Sequence, residues 1–323
     1  MPYAIRIHKT GGPEVMRWEA VEVGKPGPGE VRVRNTAVGV NFVDTYYRSG
    51  LYPLPLPATI GREGAGVVEA VGPKVKGFKP GDRVAYVDPT GSYSEVLLRP
   101  AARLVKIPTG VSEKTAAAMM LKGMTAQFLL RRTYRVKKGD TILVHAAAGG
   151  VGQILCQWAR YLGVRVIGTV GSDAKVPIAK RAGCKFVLNT SSEKISARVK
   201  EITKGAGVPV VYDGVGKDTF MDSLDCLAPL GMMVSYGNAS GPVPPFNPII
   251  LAQKGSLFLT RPTLVTYLAK REDLVRSARE LFAVVKKGAV KIAVNQTYPL
   301  REAAQAHRDL ESRKTTGSTV LLP

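Results

Sequence analysis

The sequence predicts an α/β protein in which a doubly wound parallel-sheet domain is inserted between two parts of a β-rich domain. Up to about residue 120, short apolar runs are separated by glycine turns, which is typical of β structure. From residue 141 onward, short apolar strands alternate with amphipathic helices, which is typical of a parallel sheet with helices on both faces. The last part of the chain contains two helical patterns and a final strand, which we assign to the β-rich domain.

The β-rich domain is predicted to comprise residues 1–123 and 268–323, and the inserted domain residues 124–267. Strands of the first part are expected at residues 4–8, 30–37, 63–71, 83–87 and 92–98. A helical segment, residues 115–134, leads into the inserted domain. Because ligand sites commonly form between domains, we expect the active site in the cleft between the two.

The inserted domain begins with a strand, a glycine turn and a helix. Residues 141–152 read Thr-Ile-Leu-Val-His-Ala-Ala-Ala-Gly-Gly-Val-Gly, and Ala147 stands where the usual G-x-G-x-x-G motif has its first glycine. Gly149 and Gly150 are expected to form the turn, and Gly152 to let the helix pack closely on the sheet. A pyrophosphate binds well at such a helix N-terminus, so the segment predicts a dinucleotide site. One face of the helix is apolar, at Val151, Ile154, Leu155, Trp158, Ala159 and Leu162.

The alternating pattern continues to the end of the inserted domain and into the tail. Further strands are predicted at residues 164–170, 186–188, 208–211, 232–236, 256–259 and 317–322. Further helices are predicted at residues 191–203, 217–227, 271–287 and 300–313.

The end of the second predicted strand bears on which dinucleotide is preferred. A site specific for NAD carries Asp or Glu about twenty residues after the last glycine, where it binds the ribose 2′-hydroxyl. That position is Ser172 here, and Lys175 follows within one helical turn. The neutral serine and the lysine favour NADPH. Asp173 is the competing signal, because a shift of one residue would place its carboxylate at the diol.

Composition limits the class of protein. The chain has 323 residues, 45% of them hydrophobic, with no apolar run of membrane-spanning length and no signal peptide pattern, so we expect a cytoplasmic location. Cys156, Cys184 and Cys226 fit neither a disulfide framework nor a zinc ribbon, and we expect buried, reduced thiols. The net charge of +21 is compatible with a solvated surface, which we favour, or with weak nucleic-acid affinity, although no nucleic-acid motif is present.

The glycine turn, the β-rich first domain and the run Gly-Val-Asn-Phe-Val-Asp at residues 39–44 together resemble the medium-chain dehydrogenase/reductase superfamily. Within it, the chain is most similar to the zinc-free, NADPH-dependent quinone oxidoreductases, the zeta-crystallin-like enzymes, over essentially its whole length. The resemblance implies a Rossmann domain inserted into a GroES-like catalytic domain. It also implies reduction of quinones by NADPH, and a homodimer built partly by sheet extension between cofactor domains.

The resemblance also implies a set of site residues. It gives catalytic roles to Asn41, Tyr46 and Tyr52, where Asn41 binds the acceptor oxygen or the nicotinamide ribose and the tyrosines line the pocket; ordinary packing is the alternative for the tyrosines. The implied cofactor-binding residues are Asn41, Lys122, Thr125, Gly149, Gly150, Val151, Gly171, Ser172, Lys175, Thr190, Tyr236, Gly237, Asn238, Thr260, Arg261 and Arg313. Arg313 is equally well interpreted as a surface charge at a helix end.

The residue types predict that no metal is used. A catalytic zinc needs three ligands of the Cys, His or acid type, and zinc-dependent relatives carry Cys and His where this chain has Asn41 and Arg62. Two departures from the quinone oxidoreductases remove expected cofactor contacts: Thr190 replaces a tyrosine and Gly214 replaces a serine. Two other functions stay open, reduction of α,β-unsaturated carbonyls with the same cofactor and nucleic-acid binding on a cofactor fold.

Overall fold

The computed structural model describes residues 1–87 and 89–323. Packing divides the chain into two compact units. The first unit contains residues 1–124, 268–286 and 292–323, and the second contains residues 125–267 and 287–291. Both ends of the chain therefore belong to the first unit, and the second is built from an internal segment.

The first unit is rich in β structure. Its strands are β1 (Tyr3–Ile7), β2 (Met16–Ala20), β3 (Glu30–Val40), β4 (Ala58–Thr59), β5 (Glu63–Val71), β6 (Arg83–Val87), β7 (Val96–Pro100), β8 (Leu104–Lys106), β15 (Val294–Pro299) and β16 (Ser318–Leu322). One sheet has the order β2-β1-β4, and another the order β15-β16-β3-β5-β6-β8, with β7 also paired to β3. Its helices are α1 (Phe42–Ser49), α2 (Glu113–Ala117), α10 (Arg271–Lys286) and α11 (Ala303–Glu311). Antiparallel pairing of β16 with β3 ties the end of the chain to its beginning.

Alternation of side chains explains the long strand β3. Val31 and Val33 point into one buried cluster, whereas the intervening arginines are more exposed. Towards the end of the strand, Val38 and Val40 enter a second cluster that also holds Leu321. Burial of each such side chain contributes about 1.5–3 kcal/mol, so one strand serves two parts of the core.

The second unit is a parallel sheet with helices between its strands. The strands are β9 (Thr141–Val144), β10 (Arg165–Val170), β11 (Phe186–Asn189), β12 (Val208–Asp213), β13 (Leu227–Ser235) and β14 (Phe258–Thr260), in the order β11-β10-β9-β12-β13-β14. The helices are α4 (Gly150–Tyr161), α5 (Val176–Arg181), α6 (Ile195–Ile202), α7 (Phe220–Asp225), α8 (Ile249–Gln253) and α9 (Leu264–Tyr267). This doubly wound architecture confirms the predicted fold class. No helix of the described residues is long and apolar enough to cross a membrane.

Helix α3 (Met120–Phe128) runs from the first unit into the second and continues as a π-helical turn, Leu129–Thr133. The buried hydroxyl of Tyr212, on β12, donates to the Leu129 carbonyl at 3.0 Å. The same carbonyl accepts the Tyr134 N–H at 3.2 Å, so the tyrosine hydroxyl supplies its second hydrogen bond.

Several sequence-based bounds were wrong for identifiable reasons. Residues 92–94 are a loop rather than the start of a strand, because their backbone groups bond to Gly61 and Ile60 and to the Asn35 amide. Helix α6 begins at Ile195 rather than at residue 191, because the Asn189 side chain captures the Ser191 N–H in a turn. Such local side-chain bonds compete with regular structure.

Other errors concern whole elements. The segment predicted as one helix at residues 115–134 is divided into α2, α3 and the π turn. The helix predicted at residues 217–227 is the shorter α7, and Leu227 already belongs to β13. Strands β2, β4, β8 and β15 and helices α1, α5, α8 and α9 had no prediction. The three cysteines are buried and unlinked, as expected.

Candidate active site

The turn after β9 begins with an unusual backbone conformation. Ala146 has a φ of 53°, in the left-handed region that favours glycine. Its carbonyl accepts the Gly149 N–H at 2.9 Å, and Gly149 is the N-cap of α4. The first N–H groups of a helix have no partner inside it, so those of Gly150 and Val151 are placed to bind an anion.

Gly152 allows α4 to begin directly against this turn. A Cβ atom at Gly152 would lie 2.3 Å from the Ala146 carbonyl oxygen, closer than real contacts allow. Gly168, on the neighbouring β10, has the same role from the other side, because its Cβ would lie 2.8 Å from that of Ala147. The turn is therefore enclosed by two glycines, Gly152 against its backbone and Gly168 against the Ala147 side chain.

The end of β10 lies beside the turn, at the carboxyl edge of the parallel sheet. A Cβ at Gly171 would meet no atom within 4 Å, and Ser172 caps a short 3-10 turn that ends at Lys175. The Asp173 carboxylate accepts a hydrogen bond from the Asn189 amide at 2.8 Å. Thr190 lies beside the strand end, since its N–H donates to the Val170 carbonyl at 2.9 Å. Ser172, Lys175 and Thr190 thus surround one strand end.

Loops after β12 and β13 meet at the other half of the same edge. The Tyr236 N–H donates to the Asp213 carbonyl at 2.8 Å, and Arg261 donates to the Ser235 carbonyl at 2.8 Å. Gly237 approaches the backbone of Gly214, because its Cβ would lie 2.4 Å from that carbonyl oxygen. A Cβ at Gly214 would lie 2.9 Å from the Tyr236 hydroxyl, so the tyrosine ring occupies the space that a side chain at residue 214 would need.

Asp213, which the sequence analysis missed, organises these loops. It is fully buried at the end of β12, and its Oδ1 accepts the N–H groups of Val215 and Gly216 at 2.7 and 3.1 Å. Its Oδ2 accepts the hydroxyls of Thr219 and Ser223 at 2.7 and 3.1 Å. Four donors on one carboxylate hold the loop after β12 in place. The sequence signal that could have identified Asp213 is an acidic residue at the end of a predicted strand, followed closely by Gly214 and Gly216.

His145 connects β9 to this arrangement. Its Nε2 lies 2.9 Å from the Ser223 hydroxyl and its Nδ1 lies 3.0 Å from the Thr169 hydroxyl. Burial lowers the pKa of His145, because the charged imidazolium would lose its hydration there. The neutral ring therefore links β9, β10 and α7 beneath the turn.

In the first unit, a buried carboxylate joins two of the site residues named above. Glu63, at the start of β5, is fully buried. Its Oε2 accepts from the Asn41 amide at 2.9 Å and from Lys122 at 3.2 Å, and its Oε1 accepts the Leu121 N–H at 2.8 Å. A buried charge needs such partners, and the three donors provide them. Sequence reasoning missed Glu63 because its partners are far from it along the chain.

The predicted pocket tyrosines lie together. The rings of Tyr46 and Tyr52 are 5.3 Å apart in an edge-to-face arrangement, and Tyr47 lies 5.7 Å from Tyr52. The Arg62 guanidinium lies over the Tyr47 ring at 5.6 Å. Tyr46 is buried, whereas Tyr47 and Tyr52 are half-buried, so this aromatic cluster presents two of its rings partly to solvent.

Each unit brings one group of sequence-predicted residues together. At the carboxyl edge of the parallel sheet, the second unit gathers Gly149, Gly150, Val151, Gly171, Ser172, Lys175, Thr190, Tyr236, Gly237, Asn238, Thr260 and Arg261. The first unit joins Asn41 to Lys122 and clusters Tyr46 with Tyr52. Thr125 follows Lys122 on α3, and Arg313 is exposed after α11 with a φ of 60°.

At the two positions where zinc-dependent relatives carry ligands, the side chains of this protein contact other residues. Asn41 donates to Glu63, and Arg62 stacks on Tyr47. Within residues 1–87 and 89–323, no group of three or more His, Cys, Asp or Glu side chains could hold a metal ion.

Comparisons with known proteins agree with this architecture. Residues 27–109 match the family model of the alcohol dehydrogenase GroES-like domain, and residues 150–282 match that of zinc-binding dehydrogenases. The chain is 54% identical to a quinone oxidoreductase of Pseudomonas aeruginosa over the full length of both. It is 49% identical to a 2-haloacrylate reductase of a Burkholderia species, covering 100% of this chain and 99% of that protein. The crystal structure of Escherichia coli quinone oxidoreductase complexed with NADPH superposes with a TM-score of 0.98 at 49% identity, covering 99% of this chain and 100% of that one.

We expect Gly152→Ala to destabilise the second unit, because the added methyl would overlap the Ala146 carbonyl. Overpacking of this kind costs about 1–3 kcal/mol, which urea unfolding monitored by circular dichroism would measure. Gly171→Ala is the matched control, because its methyl enters open space, and its stability should equal or slightly exceed that of the wild type. Equal stability of Gly152→Ala and the control would contradict the proposed close contact.

Proposed function

Because this chain belongs to the quinone oxidoreductase family of the medium-chain dehydrogenase/reductase superfamily, we propose that it reduces quinones with NADPH. The observation that carries the proposal is the enclosed turn at residues 146–152, in a chain that aligns end to end with quinone oxidoreductases. Its glycines leave room for a pyrophosphate against the backbone, and the following twelve-residue helix directs its N–H groups there.

The end of β10 supports NADPH as the cofactor. A 2′-phosphate carries negative charge, and Lys175 and the neutral Ser172 suit it better than an acidic residue does. The competing carboxylate, that of Asp173, accepts the amide hydrogen of Asn189, which holds it in a structural bond. Thr190 adds a hydroxyl at the same strand end. These residues fit a phosphorylated ribose.

We propose that the first unit orients the acceptor. Bound NADPH supplies the hydride, and quinones are strong enough electrophiles to accept it without a Lewis acid. The protein therefore acts by positioning and by excluding water. Asn41 orients the acceptor oxygen or the nicotinamide ribose, while Tyr46 and Tyr52 flank a flat ring. The buried bonds from Asn41 and Lys122 to Glu63 hold both donors in a defined geometry.

Zinc independence is part of the proposal. An amide nitrogen and a guanidinium are not zinc ligands, and Asn41 and Arg62 stand where a catalytic zinc would need thiolate and imidazole. The family model named for zinc-binding dehydrogenases matches residues 150–282, a segment that contains neither Asn41 nor Arg62.

Reduction of conjugated alkenes is the second candidate function. It is favoured by the 2-haloacrylate reductase, which is as similar to this chain as the Escherichia coli quinone oxidoreductase, both at 49% identity. Quinones and acrylates are both conjugated electrophiles that accept a hydride, so one positioning site suits either.

Replacement of Lys175 by alanine should weaken NADPH binding by about ten- to a hundredfold, because a charge-assisted bond to a phosphate contributes about 1.5–3 kcal/mol. Binding of NADH, which lacks the 2′-phosphate, should change little. Fluorescence quenching titrations would measure both dissociation constants. Lys180→Ala, an exposed lysine at the end of α5, is the matched control. Equal losses for the two dinucleotides would contradict the assignment of Lys175 to the 2′-phosphate.

Steady-state assays with NADPH should show turnover of 1,4-benzoquinone at a higher kcat/KM than that of 2-chloroacrylate or a simple enone. Dialysis against a chelator should leave the activity unchanged, because no zinc is required. A higher kcat/KM for the acrylate would establish the second candidate instead. Loss of activity on dialysis, with recovery on addition of zinc, would refute zinc independence.

We also propose a homodimer that extends the parallel sheet. Strand β14 ends the observed strand order, and it exposes Phe258 and Leu259 by 57% and 37%. An apolar sheet edge of this kind favours pairing with a second copy.

Sedimentation should give about twice the chain mass of 34.6 kDa for the wild type. Phe258→Asp should shift it towards the monomer, because a charge at the paired edge is costly to bury. Val275→Asp, at an exposed apolar residue of α10, should leave the mass unchanged. A monomeric wild type would exclude the proposed dimer.

A further inference from the structure

A row of buried polar side chains connects α11 to α1 inside the first unit. Arg48, on α1, lies with its Nη1 3.0 Å from His307 Nδ1, on α11. His307 Nε2 lies 2.9 Å from the Tyr93 hydroxyl, which donates to Asp44 Oδ2 at 3.1 Å. Arg48 also pairs with Glu311 at 2.7 Å. None of the side chains in this row has a role in the function proposed above.

The direction of each hydrogen bond follows from chemistry. A guanidinium can only donate, so His307 Nδ1 accepts from Arg48. The His307 proton is then on Nε2 and is donated to Tyr93, whose own proton goes to Asp44. Burial, with the charge of Arg48, lowers the pKa of His307 to about 3, so the ring stays neutral. Burial raises the pKa of Tyr93 well above 10, so it remains a donor.

The row ends at the proposed active site. Asp44 Oδ2 accepts a second hydrogen bond, from the Asn41 N–H at 2.8 Å. Asn41 then reaches Glu63 through its side-chain amide at 2.9 Å. Asp44 Oδ1 is buried and has no hydrogen-bond partner in the described chain, so Oδ2 accepts both of these bonds. The carboxylate thus holds the residue that begins α1.

Burial, opposed by the neighbouring donors and charges, sets how easily Asp44 ionises. The groups that face it are the Tyr93 hydroxyl and the more distant charges of Arg62 and Lys122; Tyr93 itself faces Arg48, His307 and Glu63. Burial raises the pKa of Asp44 from 3.8 to about 7, and the bonds from Asn41 and Tyr93 oppose that rise. The carboxyl therefore changes charge near neutral pH.

We propose that Asp44 and Tyr93 are positioning residues, and that the ionised Asp44 carboxylate holds Asn41 in the geometry that the reaction needs. This inference rests on the proposed function. A charged acceptor makes shorter and stronger bonds than a neutral carboxylic acid, so protonation of Asp44 loosens its hold on the Asn41 backbone. Activity towards the acceptor then declines as pH falls through the ionisation of Asp44.

The test compares pH profiles of kcat/KM for 1,4-benzoquinone between pH 5 and 9. The wild type should lose activity on the acid side near neutrality. Tyr93→Phe removes a donor to the carboxylate and so favours its protonated form. The fall of kcat/KM on the acid side (the acid limb of the profile) should therefore occur about one pH unit higher. The NADPH dissociation constant should stay the same. Asp44→Asn should remove the limb and lower kcat/KM at every pH.

Tyr298→Phe is the matched control, because the Tyr298 hydroxyl also donates to an aspartate, Asp309, at 2.7 Å, but away from Asn41. Its acid limb should coincide with that of the wild type. A purely structural role of Tyr93 would lower stability and leave the limb in place, which would overturn the inference. Turnover of no acceptor by the wild type would instead refute the proposed function.

A second measurement tests the ionisation without activity. Native Asp44 keeps its proton to about pH 7, whereas the unfolded residue loses it near pH 3.8, so the native state binds more protons between these values. Rising pH through this window should therefore lower the urea midpoint of the wild type relative to Asp44→Asn. His307 is present in both proteins, so its effect cancels. A constant difference across the window would overturn the inference. If Asp44→Asn does not fold, Tyr93→Phe replaces it with a different readout: without the tyrosine donor Asp44 keeps its proton to higher pH, so the decline of the urea midpoint should extend to higher pH than in the wild type. An unchanged pH dependence in Tyr93→Phe would overturn the inference.

Discussion

The second unit depends on the close approach of α4 to the carbonyl of Ala146. A helix can begin there only because Gly152 has no Cβ, which would lie 2.3 Å from that oxygen. Ala146 accepts a left-handed conformation, at a φ of 53°, to complete the turn. The backbone N–H groups of the first helical turn thereby come to the carboxyl edge of the sheet, where the loops of the proposed cofactor site also begin.

That edge is held rigid by buried polar groups rather than by apolar packing alone. The Asp213 carboxylate accepts four hydrogen bonds from the segment that follows β12. The neutral ring of His145 joins Ser223, which is one of these four donors, to Thr169 on β10. Fully satisfied buried networks specify one arrangement of their chain segments, because breaking any bond leaves a polar group without a partner. The loops around the proposed cofactor site are therefore held by the buried side chains behind them.

In the first unit, too, a buried carboxylate is held by hydrogen-bond donors from several segments of the chain. Glu63 is fully buried, and it is stable there because Asn41, Lys122 and the Leu121 N–H all donate to it. Replacing any one donor would leave a buried charge poorly paired, which is costly. The carboxylate consequently ties the start of β5 to the end of β3 and the start of α3, where the proposed site residues lie.

The sequence by itself determined the order of the domains, the strand, turn and helix at residues 141–161, and the residue types that disfavour a zinc site, because periodic burial and glycine turns are local properties. It misplaced the strand at 92–98 and overlooked α1, where side-chain bonds override the pattern. Only the tertiary structure decided that Asn41 and Lys122 share Glu63, from which they are 22 and 59 residues away. It also decided that Asp173 is bound by Asn189. Such pairings depend on sheet register and on the desolvation of buried charges, which no local pattern encodes.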